Sequence, residues 1–258
     1  MTNASLALAW PLAKKEILAR YRGSFFGLTW ALIVPLGMLA IYAAVFQGVF
    51  KARWVGAPAE GNDYALRLFA GLIVFSGTTE VATRAVRLMQ DHANLVKRVV
   101  FPLELLSLAL VMQTAVHAAL QMLVLAVLTV ALGDGMRWSW AWALPVWAWV
   151  LVLQLGLAWL LAALGCYLRD LQHVLPPIFG GLIFLTPVFY ARDAAPGALR
   201  VLLDLNPLTL PIECLRAAWF GATIDPTAVA LALTGTLVFV VIARWTFERL
   251  RPGFADLL

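Results

Sequence analysis

The feature that most constrains this chain is the recurrence of long stretches without a charged side chain. Five such stretches hold between 18 and 31 residues each. They run over Phe25–Phe50, Leu105–Gly133, Trp138–Leu168, Leu171–Ala191 and Pro226–Ala243. About 20 apolar residues in a helix cross the hydrocarbon core of a bilayer, where every backbone N–H and C=O group must bond within the protein. The sequence therefore predicts an all-α membrane protein.

A sixth span is predicted over residues 64–88, although charge interrupts its inner third. Only 12 residues separate Arg67 from Glu80, and the apolar pattern resumes beyond them as far as Leu88. Glu80 and Arg84 are four positions apart, so that they can pair on one helix face and partly cancel their charges. A re-entrant or interfacial segment is the alternative interpretation. The six predicted spans are 25–50, 64–88, 105–132, 140–168, 171–191 and 226–245.

Composition leaves little room for anything besides a membrane domain. The 258 residues are 63% hydrophobic and 13% charged, whereas soluble domains carry about 25% charged residues. We therefore expect one transmembrane domain over residues 1–258. In such a protein lysine and arginine indicate orientation, so the net charge of +5 does not predict nucleic-acid binding. With the N-terminus inside, the inner segments hold 12 of the 19 basic residues, which favours cytoplasmic N- and C-termini.

Residues 6–22, ahead of the first span, are predicted to form an interfacial helix. Trp10, Ala13 and Ile17 fall near one face at helical spacing. Pro11 fits best in a first turn, so the regular helix is expected to begin there. A positively charged anchor for the first span is the alternative interpretation. The basic residues of this segment are Lys14, Lys15, Arg20 and Arg22.

Two further segments are too irregular to be simple loops. The inner loop over 89–104 carries Leu95 and Val96 among charged residues, which indicates a short amphipathic element that docks on a partner. Residues 199–220 are interrupted by prolines and polar residues, and they fit two short helices that dip into the outer leaflet. Non-helical backbone at that depth requires protein or water beside it. We therefore expect this second segment beside a cavity or a subunit boundary.

Three of the 11 tryptophans share a predicted helix face near the outer end of the fourth span. Trp138, Trp142 and Trp149 lie at positions i, i+4 and i+11. An aromatic belt at the membrane surface is one interpretation. The other is a stacking surface for sugar rings, which present an apolar face of their own.

The chain lacks the sequence motifs of nucleotide hydrolysis and of zinc catalysis. It has no G-x-x-x-x-G-K-[ST] loop and no H-E-x-x-H pair. The predicted topology places Cys166 and Cys214 on opposite sides of the membrane, so they are not expected to form a disulfide or to bind a metal together. A membrane enzyme is disfavoured, because its candidate groups on the inner side share no motif spacing; these are Asp91, His92, Glu104, Asp170 and His173. We therefore expect a non-catalytic chain without a metal or cofactor, driven by another subunit.

Six segments resemble, in order and nearly end to end, the permease subunit of polysaccharide ABC exporters of the ABC-2 type. They are Lys14–Arg53, Asn94–Leu106 (NLVKRVVFPLELL), Tyr167–Phe179 (YLRDLQHVLPPIF), Thr186–Tyr190 (TPVFY), Leu205–Gly221 (LNPLTLPIECLRAAWFG) and the tail FERLRPGFADLL. The resemblance implies a homodimer of six-span permeases in a bacterial inner membrane. It also implies two copies of a separate cytoplasmic ATPase, which binds ATP and Mg²⁺.

The resemblance further implies functional segments by position. A coupling element to the ATPase matches Asp91, His92, Asn94, Leu95, Val96, Lys97 and Arg98. Re-entrant gate helices match about 199–220, with Asn206, Pro207, Pro211, Glu213 and Arg216. A cytoplasmic turn matches Arg169 and Asp170, for which a local salt bridge and helix cap is an equal alternative. Residues 6–22 match the family's interface helix.

The implied substrate is a lipid-linked glycan of the O-antigen type, moved from the cytoplasmic side outwards. Exporters of capsular polysaccharide and of teichoic acid share much of this pattern, so both remain alternatives. A small-molecule ABC-2 permease is a third, disfavoured by the glycan-branch segments.

Overall fold

Helices make up the regular structure of this protein. The computed structural model describes residues 3–21, 26–52, 54, 63–97, 101–132 and 135–257, and every regular element in these ranges is helical. The α-helices are α1 Asn3–Tyr21, α2 Trp30–Ala43, α3 Asp63–Ala85, α4 Leu88–Asp91, α5 Ala93–Val96, α6 Glu104–Ala131, α7 Ala143–Tyr167, α8 Leu171–Leu182, α9 Gly197–Leu205, α10 Thr209–Phe220, α11 Pro226–Leu250 and α12 Phe254–Leu257. The predicted all-α class is confirmed for this part of the chain.

Five described helical segments are long and apolar enough to cross a membrane. They are Trp30–Val49, Asp63–Ala85, Glu104–Ala131, Trp138–Tyr167 and Pro226–Leu257. The first joins α2 to a π-helical turn, Ala44–Val49. These segments overlap five of the six predicted spans. One of the five is the charge-interrupted span, in which Glu80 and Arg84 pair at 3.3 Å as their spacing predicts.

The predicted span 171–191 differs from the structure. Regular helix ends at Leu182, and residues 183–190 form turns. The 12 residues of α8 rise about 18 Å, short of the hydrocarbon thickness of about 30 Å. Pro187 in these turns has no N–H to donate to a continuing helix. The count of six spans therefore stays a prediction.

Helices α3 and α7 form the centre of the bundle. Helix α3 packs against α2, α6, α7, α8 and α10, and α7 also packs against α11. A Cβ atom on Gly165 of α7 would collide with the Val86 carbonyl oxygen, so this close approach requires glycine. On the periphery, α2, α6 and α11 leave apolar side chains such as Ile33, Val127 and Leu231 exposed. Extended apolar surfaces of this kind are typical of membrane-facing helices.

A helix, α1, is observed in the segment predicted to be interfacial, but it starts earlier than expected, and its place at a membrane interface stays a prediction. Helix α1 begins at Asn3 and contains Pro11 in its interior, so Pro11 does not mark the first turn. It packs along α6, with Ala13 buried and Trp10 exposed. Lys14 and Lys15 are exposed. The side chain of Arg20 and all of Arg22 lie outside the described part of the chain.

Candidate functional site

The turns at residues 183–190, here called the capped turn, receive hydrogen bonds from distant side chains. Asn206 donates to the Leu185 carbonyl oxygen at 2.9 Å, and the Tyr64 hydroxyl donates to the Phe189 carbonyl oxygen at 2.8 Å. Inside a membrane, backbone groups released from a helix must find partners within the protein. These donors allow a non-helical segment to lie inside the bundle.

Arg216 of α10 provides most of this capping. Its two terminal nitrogens donate to the carbonyl oxygens of Pro187 and Val188, the latter at 2.8 Å. Its Nε donates to the Arg67 carbonyl oxygen at 2.9 Å. The Arg216 side chain is only 3% exposed, and Glu213 pairs with it at 3.1 Å. A buried charge that is both paired and fully hydrogen-bonded avoids the large penalty of an uncompensated one.

The predicted gate residues thus meet at one place. Asn206 and Arg216 hold the capped turn, Glu213 balances the charge of Arg216, and Pro211 is buried in α10. Pro207 is exposed. Helices α9 and α10 occupy the segment for which two short helices were expected. Their depth in a membrane and their role in gating stay predictions.

The other end of α3 carries a more open charge network, centred on Arg84. Its guanidinium donates to Gln113 Oε1 at 2.8 Å and pairs with Glu80 at 3.3 Å. Glu16 of α1 lies 3.5 Å from Arg84 and 3.6 Å from His92. One arginine therefore ties α1, α3 and α6 together. Through Glu16 the same network reaches the loop that follows α3.

A cavity of about 670 Å³ opens beside this network, between α2, α3 and α6. Glu80, Arg84, His117 and Gln121 contribute its polar wall. His117 Nδ1 lies 3.8 Å from Glu80. The apolar wall includes Val34, Met38, Tyr42, Phe69 and Leu72. The cavity is therefore polar towards the Arg84 network and apolar along the middle of the bundle.

The predicted coupling element folds as α4 and α5, and its exposed face is polar. Val96 is buried and Leu95 packs half-buried against the same core. The expectation that Val96 fills a groove on a partner is therefore wrong, because its surface is used within this chain. For the half-buried Leu95 the expectation stays a prediction. Asp91, Asn94 and Lys97 are exposed at intervals of three residues, which places them on one side of a helical path.

The C-terminal segment packs beside this element. Helix α12 contacts α5, and Arg169 donates to the Leu257 carbonyl oxygen at 3.1 Å. The Asp170 side chain makes no capping bond to α8, so the pair does not form the expected cap. Gln90, just ahead of the coupling element, donates to the Gly165 carbonyl oxygen at 3.2 Å. Arg98, the last predicted coupling residue, lies outside the described residues.

The three outer tryptophans do not share a face. Trp138 is 98% exposed and Trp142 is 67% exposed, whereas Trp149 is 6% exposed. Trp149 donates to Thr236 Oγ1 at 2.9 Å and so joins α7 to α11. The expected alignment is wrong because Trp138–Trp142 form a 3-10 turn ahead of α7, which changes the angle between successive side chains. Of these three tryptophans, Trp138 and Trp142 are open to a ligand or to lipid headgroups, and Trp149 is not.

Several residues of these sites were not predicted from the sequence. Gln113, His117 and Gln121 recur every fourth residue inside a charge-free run, and this periodicity marks one helix face. It is the pattern that would have found the cavity. The role of Tyr64 has no comparable pattern, because its acceptor is a backbone carbonyl 125 positions away.

Comparison with known proteins places these features in a family. Residues 8–220 match the family model described as ABC-2 type transporter. The O-antigen export system permease protein RfbA of Myxococcus xanthus is 26% identical over 248 residues, covering 95% of this chain and 93% of the relative. A protein of the same name from Klebsiella pneumoniae is 24% identical over 249 residues, covering 96% and 93%. This chain belongs to the ABC-2 type transporter family, the membrane permease subunits of ABC exporters.

Proposed function

We propose that this chain is the permease of an ATP-driven exporter that moves a lipid-linked polysaccharide of the O-antigen type from the cytoplasmic side outwards. The observation that carries the proposal is the nearly full-length similarity to relatives named as O-antigen export permeases. The family works with an ATPase partner, so ATP and Mg²⁺ bind on that partner and this chain carries no cofactor. The chain contributes the path and the coupling surface.

The ATPase contacts the polar face formed by Asp91, Asn94 and Lys97. These side chains are exposed at the end of the bundle where α4, α5 and α12 meet. A displacement of this face acts on His92, and through Glu16 it acts on Arg84. The element that receives the ATPase motion is therefore in contact with the network at the end of α3.

The exporter is a homodimer of this chain with two ATPase copies in a bacterial inner membrane, with both termini in the cytoplasm. Helix α1 reaches Arg84 through Glu16, and α12 contacts α5. The C-terminal half of α1 and the C-terminal helix α12 therefore lie at the same end of the bundle, as this topology requires. Trp138 and Trp142 remain candidates for stacking on the glycan where it leaves, because both are exposed.

Complementation tests this function. The chain is expressed together with a candidate partner ATPase in a bacterial strain that makes O antigen but lacks its exporter, and surface O antigen is measured. We expect restoration only when both chains are present, and no ATP hydrolysis by the purified permease alone. Robust ATP turnover by the isolated chain would contradict the proposal. Restored export of capsule or teichoic acid, with no O antigen, would reassign the glycan.

A further inference from the structure

The cavity beside Arg84 has the size and the mixed lining of a small-molecule site. Its volume of about 670 Å³ falls within the range of ligand pockets, which combine apolar and aromatic walls with a few placed polar groups. Trp30, Tyr42 and Phe75 provide aromatic surface here. Ser76, also in the lining, is exposed, so the space is open and not filled by side chains.

The polar wall offers both donors and acceptors to a ligand. Arg84 presents N–H groups, and Gln121 presents an amide that can donate and accept. The hydroxyls of Thr79 and Thr83 donate to carbonyl oxygens of their own helix at 2.9 and 2.8 Å, so that their lone pairs face outwards as acceptors. Glu80 adds carboxylate oxygens. A ligand that both donates and accepts hydrogen bonds matches this wall.

The charges of the cavity disfavour an anion. Arg84 is already paired with Glu80 in the lining and with Glu16 behind it, at 3.3 and 3.5 Å. His117 lies against Glu80 as well. A phosphate group drawn to Arg84 would meet the Glu80 carboxylate at the same time, and like charges at such distances repel. Among the described residues the charges of this wall are therefore balanced, which suits an uncharged polar ligand.

We infer that this cavity binds an uncharged sugar ring, whose hydroxyls bond to Glu80, Arg84 and Gln121 and whose apolar faces lie on the aromatic wall. A sugar hydroxyl donates one hydrogen bond and accepts others, as the wall requires. The inference rests on the proposed function, because the ring would be a unit of the exported glycan. It assigns the ring, and not the phosphate of the lipid carrier, to this position.

Photolabelling of the purified full-length chain in lipid nanodiscs tests the assignment. The probe is an octyl β-glucoside with a diazirine next to its head group, and the comparison probe is the octyl phosphate with the same diazirine. Labelled peptides are mapped by mass spectrometry. We expect saturable glucoside labelling at the cavity segments of α2 and α3, several-fold above phosphate labelling. The matched tails make the head group the variable.

Three variants locate the site within the chain. Ser76→Phe places a ring in the open space and should abolish saturable labelling. Gln121→Leu keeps the volume but removes one hydrogen-bonding group, so labelling should fall about fivefold. Gln172→Leu makes the same change outside the lining and should leave labelling unchanged. Circular dichroism and gel filtration verify folding, and Ser76→Phe decides the matter if Gln121→Leu fails to fold.

The remaining outcomes overturn the inference. Equal labelling of α11, which lies outside the lining, would show that the glucoside only partitions into the bilayer. Preferential labelling by the phosphate probe would make the cavity an anion site. Glucoside labelling that survives Ser76→Phe would place the site elsewhere. Export measured in the complementing strain separates the two proposals. A lost sugar site with normal export rejects only the inference. A labelled cavity without export rejects the function, and with it the assignment of the ring to an exported glycan, but it leaves the sugar site itself.

Discussion

Two arginines, one at each end of α3, are held in opposite ways. Arg216 reaches the carbonyl oxygen of Arg67 near the start of α3, whereas Arg84 lies in its last turn. These ends of the helix are about 26 Å apart. Arg216 is 3% exposed and bonds mainly to backbone carbonyl oxygens, while Arg84 is 35% exposed and bonds to side chains.

The difference indicates which end of the molecule can rearrange. The carbonyl oxygens of Pro187 and Val188 belong to the backbone, so they cannot separate from Arg216 without a change in the path of the chain. The partners of Arg84 are side chains on three elements, and two of them, Glu16 and Glu80, are partly exposed and can change rotamer alone. We conclude that Arg216 maintains the fold, and that the Arg84 network is suited to respond to a ligand or to the ATPase.

Arg216→Ala should produce the largest effect. It leaves three carbonyl oxygens and the Glu213 carboxylate without their partner in a buried site. Breaking such a buried pair costs about 3–5 kcal/mol, so the chain should lose its folded state or show a much lower Tm in detergent. Fluorescence-detected gel filtration after heating measures the loss.

Arg200→Ala provides the control for this change. Arg200 pairs with Asp193, but its side chain is 45% exposed, so the Tm should hardly change. Arg216→Lys should be intermediate, because it keeps the charge but cannot bond three carbonyl oxygens at once. A Tm of Arg216→Ala equal to that of Arg200→Ala would remove the basis for calling this end fixed.

Val96→Asp and Lys97→Glu should separate folding from coupling at the other end. Val96 is buried, so a charge there should lower stability by a few kcal/mol, which a thermal scan detects. Lys97 is exposed, and its reversal should leave Tm unchanged while weakening co-purification of the ATPase about fivefold. Reduced ATPase binding by a stable Val96→Asp variant, with normal binding by Lys97→Glu, would return the docking role to the apolar side chains.

Arg84→Gln should damage transport more than folding. The shorter amide can keep one bond to its neighbours, and the site is partly open, so the loss of stability should be about 1 kcal/mol. Export in the complementing strain should fall about tenfold, because Glu16 and Glu80 lose the cation they share. The variant Arg84→Lys keeps that positive charge and should retain more export. Full export by Arg84→Gln would show that this network does not take part in coupling.

The two ends of α3 show which features of this protein could be predicted from its sequence. The spans were predictable because a bilayer demands long charge-free helices, and the Glu80–Arg84 pair followed from its spacing on one helix. Two short helices in 199–220 followed from the prolines and polar residues that interrupt the segment. In each case the determining interactions lie within about one turn or one span of the residues concerned.

The errors share the opposite property. Pro187 is a local sign that the helix ends, but nothing else in residues 171–191 indicates the capped turn. The stability of this turn depends on Tyr64, Asn206 and Arg216 from other elements. Burial of Val96 likewise depends on packing against the chain's own core. Its amphipathic pattern fitted a partner's groove equally well. Tertiary contacts decide such cases, and a single sequence does not contain them in readable form.

Asp225 lies at the N-terminus of α11 and is fully exposed to solvent, so it is the opposite extreme to the buried Arg216. It caps α11 by accepting from the Thr227 N–H at 2.9 Å, and the side-chain hydrogen bond from Thr227 lowers the pKa of Asp225. Because the pKa is lower in the folded chain, the ionised cap stabilises the fold in full at pH values above the usual Asp pKa of about 4. The contribution is lost as the pH falls through the lowered value.

We expect the smallest effect of the series here. Asp225→Ala should lower Tm by about 1 °C at neutral pH, far less than any change at Arg216. Asp225→Asn still caps the helix but does not titrate, so it serves as the matched control. The Tm difference between wild type and Asp225→Asn, measured from about pH 7 to about pH 3, cancels most of the titration of the other acids. It should be constant above about pH 5 and should shift against the wild type below about pH 4. A flat difference over the whole range would show that an exposed cap at this end contributes nothing through its charge, and that only buried charges such as Arg216 affect the fold.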